Sequence, residues 1–430
     1  MKSKLKQTEL GKLPEDWEIV RLGSIVEKMK AGGTPRRGIK EYWNGNIPFV
    51  LIEDMTSSGL YLSKTKEKIS EEGLKNSSAW IVPKNTLLLS MYATIGSTTI
   101  NKIRVATNQA IIAIIPKKDK LHTVFATWLL KFHAERLKSQ NIQSTQKNVN
   151  RGIVESFKIP LPPLAEQKNI AFVLSSIQDA KEKTEQVIKA LKETKKSLMK
   201  HLFTYGPVSI ADKAKVKLKD TEIGRIPVEW DVVRLGDVGN FQYGFTETAN
   251  QDKIGPKFLR ITDINLDMSK IRWSKVPYCK IRNDEFKKYK LEKGDILIAR
   301  IGATTGKTCI IENSPESVFA SYLIRFKTNK LFSAFAYYFT ISEIYWTQIN
   351  SSKEGKLKKG VSSTLLKNFK IPVPPLATQQ EIASMLSVVD ERIEKEEAKR
   401  EALGELFRSM LQNLMTAKIR VKDLVIEYEH

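Results

Sequence analysis

Gly302–Ala303–Thr304–Thr305–Gly306–Lys307–Thr308 gathers glycines, hydroxyls and a lysine in the manner of a phosphate-binding loop. That chemistry needs four residues between the glycines and a helix opening after the lysine, so that backbone N–H groups cradle the phosphate. Here three residues separate the glycines, and the following Cys309–Ile310–Ile311 is strand-like. The matching stretch of the first half, Ala93–Thr94–Ile95–Gly96–Ser97–Thr98, lacks the lysine. A second candidate is Leu161–Pro162–Pro163–Leu164, with Val373–Pro374–Pro375–Leu376. In a DNA amino-methyltransferase, an Asn or Asp before Pro-Pro accepts from the target amine and an aromatic ring after it stacks on the extruded base. Aliphatic residues stand at both places here, and no G-x-G cofactor loop occurs. The Pro-Pro pairs read as punctuation before helices. No Gly-x-Ser-x-Gly nucleophile elbow is present. Of the four histidines, His122, His133, His201 and His430, none is paired at metal-ligand spacing; His133 and His201 read as solvated helix positions. Two cysteines, Cys279 and Cys309, are too few for a disulfide framework or a four-cysteine zinc site. The expectation is a chain with no catalytic constellation, metal site or cofactor of its own.

Binding is the better-supported chemistry. Seventy-one Lys and Arg against 48 Asp and Glu give a net charge of +23 over 430 residues. A surplus of that size favours a polyanion, because each neutralised phosphate releases condensed counterions. The basic residues are spread along the chain and no apolar run approaches the ~20 residues of a membrane span, so nucleic acid is expected and a membrane is not. The lysine-rich start, Met1–Gln7, is followed by no apolar stretch, and the expected location is cytoplasmic.

The elements that would position binding residues occur twice. Thr8–Glu9–Leu10–Gly11–Lys12–Leu13–Pro14–Glu15–Asp16–Trp17, with Val20–Arg21–Leu22–Gly23, returns 213 residues later as Thr221–Glu222–Ile223–Gly224–Arg225–Ile226–Pro227–Val228–Glu229–Trp230, with Val233–Arg234–Leu235–Gly236. Phe157–Lys158–Ile159–Pro160–Leu161–Pro162–Pro163–Leu164–Ala165 returns 212 residues later, from Phe369 to Ala377. Such a period is too long for a solenoid repeat and describes a duplicated domain with its connector. Each copy begins with strand-like runs (Ile47–Ile52, Thr86–Ser90 and Ala110–Ile115; Lys257–Ile261, Asp295–Ala299 and Tyr322–Phe326) and interspersed helices, Val124–Ser139 and Phe332–Asn350. Trp17 and Trp230 read as core anchors.

After each Pro-Pro pair the apolar spacing turns to fours and threes. The first seam is Ile170, Leu174, Ile177, Ile188, Leu191, Leu198 and Leu202, interrupted by Lys181, Thr184 and Lys195. The second is Ile382, Leu386, Val389, Ile393, Leu403, Phe407, Met410 and Leu414, interrupted by Glu396 and Arg400. A common heptad register with charged outer faces predicts two long helices in a coiled coil. A helix over 165–203 would be roughly 58 Å long. If the halves are related by a pseudo-two-fold axis, the helices run antiparallel and the second ends beside the N-terminal segment.

Together these features resemble the specificity subunit of a type I restriction–modification enzyme. The likeness rests on the two Pro-x-x-Trp openings and on Gly32–Gly33–Thr34–Pro35 with Tyr42–Trp43–Asn44–Gly45–Asn46–Ile47–Pro48–Phe49–Val50. It rests also on Gly294–Asp295–Ile296–Leu297–Ile298–Ala299–Arg300 running into the glycine turn, and on the paired Ile-Pro-x-Pro-Pro-Leu-Ala segments. The second half departs from the first by offering Tyr243–Gly244–Phe245–Thr246 for Gly-Gly-Thr-Pro, and the first has Asn85–Thr86 for Gly294–Asp295. The resemblance implies a non-catalytic, mixed α/β (α+β) protein: two similar globular DNA-recognition domains joined by two long helices forming an antiparallel coiled coil, pseudo-two-fold symmetric. The expected segments are recognition domain 1 over 1–160, spacer helix 1 over 161–206, recognition domain 2 over 207–372 and spacer helix 2 over 373–425. Each domain would read one half of a bipartite duplex target while the helices set the spacing. S-adenosylmethionine, ATP and magnesium would belong to partners, namely two methylation subunits and the restriction subunits.

Candidate DNA-contacting residues in the first copy are Thr34, Arg36, Arg37, Tyr92, Thr94, Gln146, Lys147 and Asn148. In the second they are Tyr243, Phe245, Thr246, Arg300, Thr304, Lys307, Lys356, Lys358 and Lys359. Arg matches guanine and Gln or Asn matches adenine bidentately, whereas lysines hold phosphates. Two other classes stay open at this point. A self-sufficient DNA methyltransferase would bind S-adenosylmethionine as an isolated chain; a scaffold without sequence specificity would show no preference for a split site.

Overall fold

The hairpin Leu5–Thr8 with Gly11–Pro14 opens the chain and its copy, Leu218–Thr221 with Gly224–Pro227, opens the second half. In each the threonine hydroxyl donates to the glycine carbonyl, Thr8 to Gly11 at 2.5 Å and Thr221 to Gly224 at 2.6 Å. The computed structural model describes residues 4–92, 94–140, 149–265, 270–352 and 360–424. The chain forms two units, Met1–Thr184 with Ala398–His430 and Glu185–Glu397. Both unit boundaries fall inside long helices, so each unit contains a stretch of both.

In the first unit, five strands stand in the order Val26–Ala31 (β1), Ile111–Pro116 (β3), Leu87–Ser90 (β2), Thr98–Asn101 and Tyr61–Leu62, antiparallel except for the last pair. β2 and β3 are buried on nearly every residue, as a continuous apolar run in a strand covered on both faces requires. In the second unit, Gly239–Tyr243 (β4), Leu323–Thr328 (β6), Ile296–Ala299 (β5) and Thr308–Ile310 form an antiparallel four-stranded sheet. The residue before Thr86 and that before Asp295 both need a left-handed backbone: Asn85 has φ 61° and Gly294 φ 91°. Asparagine tolerates that region better than other side chains, so the Asn-for-Gly difference between the halves preserves one turn.

A second closure sets where the long helices start. Glu18–Arg21 pairs with Lys158–Leu161, and Asp231–Arg234 with Lys370–Val373. Each second strand ends at Pro-Pro, after which the helices run over Leu164–Tyr205 (α1) and Leu376–Met415 (α2). These are narrower than the expected 161–206 and 373–425. α2 stops at Met415 because Ala417 turns left-handed (φ 54°), and the chain then folds back. Near each helix start a buried glutamine ties three strands of chain together. Gln167 accepts from His122 N–H and donates to the Lys120 and Pro162 carbonyls, each at 2.9 Å. Gln379 accepts from Phe332 N–H at 2.9 Å and donates to the Pro374 carbonyl at 2.8 Å.

None of the seam residues is exposed; Ile170, Leu174, Ile188, Leu202, Ile382, Leu386, Ile393 and Leu414 are buried. Within the first unit, Ile170 and Leu174 share a core with Leu414 and Met415. Within the second, Lys192 pairs with Glu397 at 2.9 Å and Lys195 with Asp390 at 2.6 Å. In the second unit rising numbers on one helix meet falling numbers on the other, so the helices pair antiparallel there. The lobes meet them differently. Trp128 packs edge-on against Phe407 at 5.0 Å in the first unit. In the second, the Tyr338 hydroxyl donates to Asp390 at 2.9 Å, and the same carboxylate pairs with Lys195. Burial and the Asp390 carboxylate hold the Tyr338 phenol well above its usual range.

Trp17 is completely buried and Trp230 nearly so. Trp17 Nε1 donates to Glu166 Oε2 at 3.0 Å. Arg420 closes on the same carboxylate at 2.6 and 2.7 Å and on Asp16 at 3.1 and 2.7 Å. The Asp16 carboxyl is held below its usual range, first by its hydrogen bond to Arg420. The segment after α2 thus lies beside the N-terminal segment, fixed further by Asn169 Nδ2 donating to the Val421 and Leu424 carbonyls.

Two histidines correct the reading of solvated helix positions. His133 sits where the expected helix breaks into Thr123–Phe132 and Ala134–Ser139, between the Phe132 and Phe157 rings. His201 Nε2 bonds the Val208 carbonyl oxygen at 2.8 Å. The stretch Phe332–Asn350 likewise divides, at Ile341 and Ser342.

Arg420→Ala leaves the Glu166 carboxylate, 1% exposed, without its cation, and is expected to cost about 3–5 kcal/mol. Adding Glu166→Gln is expected to recover part of that loss; urea unfolding of the three chains checks it, and unchanged stability in Arg420→Ala would contradict it. Burial, with Arg136 second, pushes His133 down to about 4. The unfolded imidazole takes up a proton near pH ~6.5 and the folded one only near 4. Stability should therefore be level above that upper value and fall as pH drops toward 4. His133→Phe should flatten this slope in urea midpoints measured against pH; His122, shifted the same way, leaves a residual slope.

Candidate nucleic-acid interface

One end of each sheet gathers the residues that the sequence nominates. In the first unit, β1 and β2 end where β3 begins. Past the strands the backbone stays paired: Gly32 N–H donates to Ile111 O (3.1 Å), Gly33 to Thr107 (2.9 Å), Met91 to Ala110 (2.8 Å) and Val149 to Met91 (3.1 Å). The second unit repeats all four: Gly244 to Leu323 (3.1 Å), Phe245 to Phe319 (2.8 Å), Arg300 to Tyr322 (3.0 Å) and Val361 to Arg300 (3.0 Å). This framework equates Gly32 with Gly244, Gly33 with Phe245, Thr34 with Thr246 and Met91 with Arg300. A Cβ on Gly32 would lie 2.0 Å from the Thr107 carbonyl oxygen and one on Gly244 2.2 Å from that of Ala320, so both positions require glycine.

On this framework the first unit exposes Tyr92, Thr94, Arg36 and Arg37, with Thr34 half-exposed. The Thr34 hydroxyl donates to the Gln109 side-chain oxygen. Gln109 is an exposed amide that sequence reasoning missed; its signal is its place two residues before the buried run of β3. Arg37 lies 3.9 Å over the Trp43 ring and pairs with Glu67 at 2.8 Å, so its charge is already met within the protein. The second unit exposes Tyr243, Thr246 and Tyr322, with Arg300 and Thr304 half-exposed. Tyr322, like Gln109, was missed. Phe245 turns inward and packs on Tyr289 at 5.3 Å.

Lys307 is not with this group. It lines a recess of about 1160 Å³ in the second unit, together with Lys192, Lys195, Tyr338, Asp390 and Glu397. The segment 302–308 that contains it is a hairpin turn from β5 into Thr308–Ile310, so its N–H groups do not open a helix onto a phosphate. Gln146, Lys147, Asn148, Lys356, Lys358 and Lys359 lie outside the described residues. Among the described residues, no cluster of His, Cys, Asp and Glu could hold a metal ion, and no helix is long and apolar enough to cross a membrane. Cys279 and Cys309 are buried, and burial pushes their thiols up to about 11 and about 12, away from nucleophilic use.

Comparison with known proteins agrees with the duplicated geometry. The sequence model of the type I restriction modification DNA specificity domain matches twice, over residues 14–193 and 227–405. The type I restriction enzyme MjaVIII specificity subunit of Methanocaldococcus jannaschii is 29% identical over 426 residues, covering 96% of this chain and 95% of that one. The MjaIX specificity subunit of the same organism is 33% identical over 248 residues, 56% of each chain. Among solved structures, the S subunit of a type I restriction-modification system from M. genitalium has the same fold: TM-score 0.59 at 16% identity, covering 96% of this chain and 99% of that one. A chain from a structure of complex assembly and conformational transition in the type I R-M system gives a TM-score of 0.52 at 17% identity, covering 95% and 99%. With two matched domains that between them span most of its length, this chain belongs to the type I restriction modification DNA specificity domain family.

Proposed function

We propose that this chain is the DNA-reading, non-catalytic specificity subunit of a type I restriction–modification complex. Each lobe reads one half of a bipartite duplex site and the long helices set the separation. The observation that carries this reading is the repeated sheet end: four backbone hydrogen bonds hold the same turns in both units, while the side chains they present differ. Met91 stands against Arg300, Gly33 against Phe245 and Ala110 against Tyr322. A shared scaffold with unlike tips suits a target of two unlike halves. The surplus of +23 supplies attraction to phosphates that carries no sequence information.

In this reading the chemistry sits elsewhere. Two methylation subunits would bring S-adenosylmethionine, and restriction subunits ATP and magnesium, in the cytoplasm. The two equivalent stretches of helix after the Pro-Pro pairs offer two like surfaces for methylation subunits. Thr34, Tyr92, Gln109 and Arg36 would face DNA from the first lobe, and Tyr243, Arg300, Tyr322 and Thr246 from the second.

The test is selection from a randomised duplex pool by the full chain, with and without its methylation partners. Two unlike short blocks at fixed separation are expected. Thr34→Ala with Gln109→Ala should change one block and leave the other intact. Enrichment that depends on salt alone, with no split consensus, would contradict the reading. Native mass spectrometry of the complex at saturation should give two methylation subunits per chain; a single one would count against the two helix surfaces.

A further inference from the structure

We propose that Arg300 reads a guanine in the half-site of the second lobe, and that Tyr243 is the residue that positions it. This rests on the specificity-subunit reading and goes further by naming the base and the device.

Arg300 is the first residue beyond β5, and both of its backbone groups are engaged. Its N–H donates to the Tyr322 carbonyl and its carbonyl accepts from Val361 N–H, each at 3.0 Å. Its guanidinium carbon lies 4.8 Å from the centre of the Tyr243 ring. That ring is fixed at both ends. Its backbone closes β4 opposite Ile324, and its hydroxyl accepts from the Ser363 backbone N–H at 3.0 Å. Ser363 opens a short helix, where an N–H has no partner within the helix itself. Tyr243 therefore ties the ends of two strands to the segment that follows Val361, and offers Arg300 a rigid plate.

Stacking occupies the face of a guanidinium and leaves its N–H edge free in the plane. That edge matches the O6 and N7 acceptors of guanine in the major groove. Among the described residues no carboxylate pairs with Arg300. A stacked arginine at the tip of the first lobe, Arg37 over Trp43, differs on this point, since Glu67 already takes its charge. Nor does the first lobe carry the device in the equivalent place: Ala31 stands for Tyr243, Ala110 for Tyr322 and buried Met91 for Arg300. The guanine contact is therefore specific to the second half-site.

The experiment is selection from the randomised duplex pool with the full chain as wild type, R300A, R300K, Y243F and Y243L. The wild type should fix a guanine at one position of one block. R300A should lower the preference for it by about 5- to 150-fold and leave every other position unchanged. R300K should behave like R300A, because an ammonium lacks the planar fork. Y243L should weaken the same position alone, and Y243F, which keeps the plate, should retain most of the preference. R300A binding all sequences more weakly by one common factor would make Arg300 a phosphate contact and overturn the proposal, as would an unchanged consensus. Y243L weakening all sequences alike would overturn the role of Tyr243. R300A alters a half-exposed side chain and decides the arginine claim even if Y243L does not fold. A wild type with no split consensus would fail the specificity-subunit reading; a split consensus that R300A leaves intact would fail this inference alone.

Discussion

Backbone hydrogen bonding at the open end of each sheet is the constraint on which the rest of the molecule depends. Met91 and Arg300 occupy the same place in two lobes although one is a buried thioether and the other a half-exposed cation. They can do so because main-chain groups hold them, in the paired contacts Met91–Ala110 and Val149–Met91, then Arg300–Tyr322 and Val361–Arg300. Main-chain N–H and C=O groups must be satisfied whatever the side chain. The turn is thus set by a pattern that every residue except proline can supply. A loop anchored in this way can change its side chains without changing its path, which is what recognition of varied sequences demands of a scaffold.

The same separation of frame from decoration runs through the helices. Gln167 and Gln379 both accept one backbone N–H and donate to the first proline carbonyl of their Pro-Pro pair, and the strand pairs before Pro-Pro match in register. Under that common frame the lobes attach to their helices by different chemistry, an aromatic edge at Trp128–Phe407 and a hydroxyl–carboxylate–ammonium chain at Tyr338–Asp390–Lys195. The Arg420 knot on Glu166 and Asp16 belongs to the first unit; in the second, Val208 stands for Arg420 and Thr378 for Glu166, and only the acid at Asp16 is kept, as Glu229. Duplication preserved what the fold needs and left the rest to diverge.

The duplication, the helix pair and the buried tryptophans were legible in the sequence because they rest on patterns: a repeat of 212–213 residues, heptad spacing and Pro-Pro punctuation. What was not legible depends on contacts between distant residues. His133 looked like a solvated helix position because its own segment is amphipathic; its burial comes from Phe157, across the lobe. Lys307 was nominated with the tip residues because of its glycine turn, but that turn is a hairpin and Lys307 lines the recess that Tyr338 and Asp390 also line. Gln109 and Tyr322 carry only a faint local signal, a place just ahead of the buried runs of β3 and β6, since their exposure follows from lying where three strands end. The end of helix α2 was set at 425 instead of at Met415 because nothing in its spacing announces the left-handed turn at Ala417.

The central claim is that one backbone frame, used twice, carries two independent sets of reading side chains. The most direct measurement replaces residues 235–369 with a second copy of residues 22–157, leaving the flanking strand pairs and both helices in place, and selects the folded chimera's target from a randomised duplex pool. The account predicts that the block read by the first lobe appears twice and the block read by the second disappears. Persistence of the second block in a folded chimera would mean that the bases are read by something other than the tips of the duplicated sheets, and would contradict it.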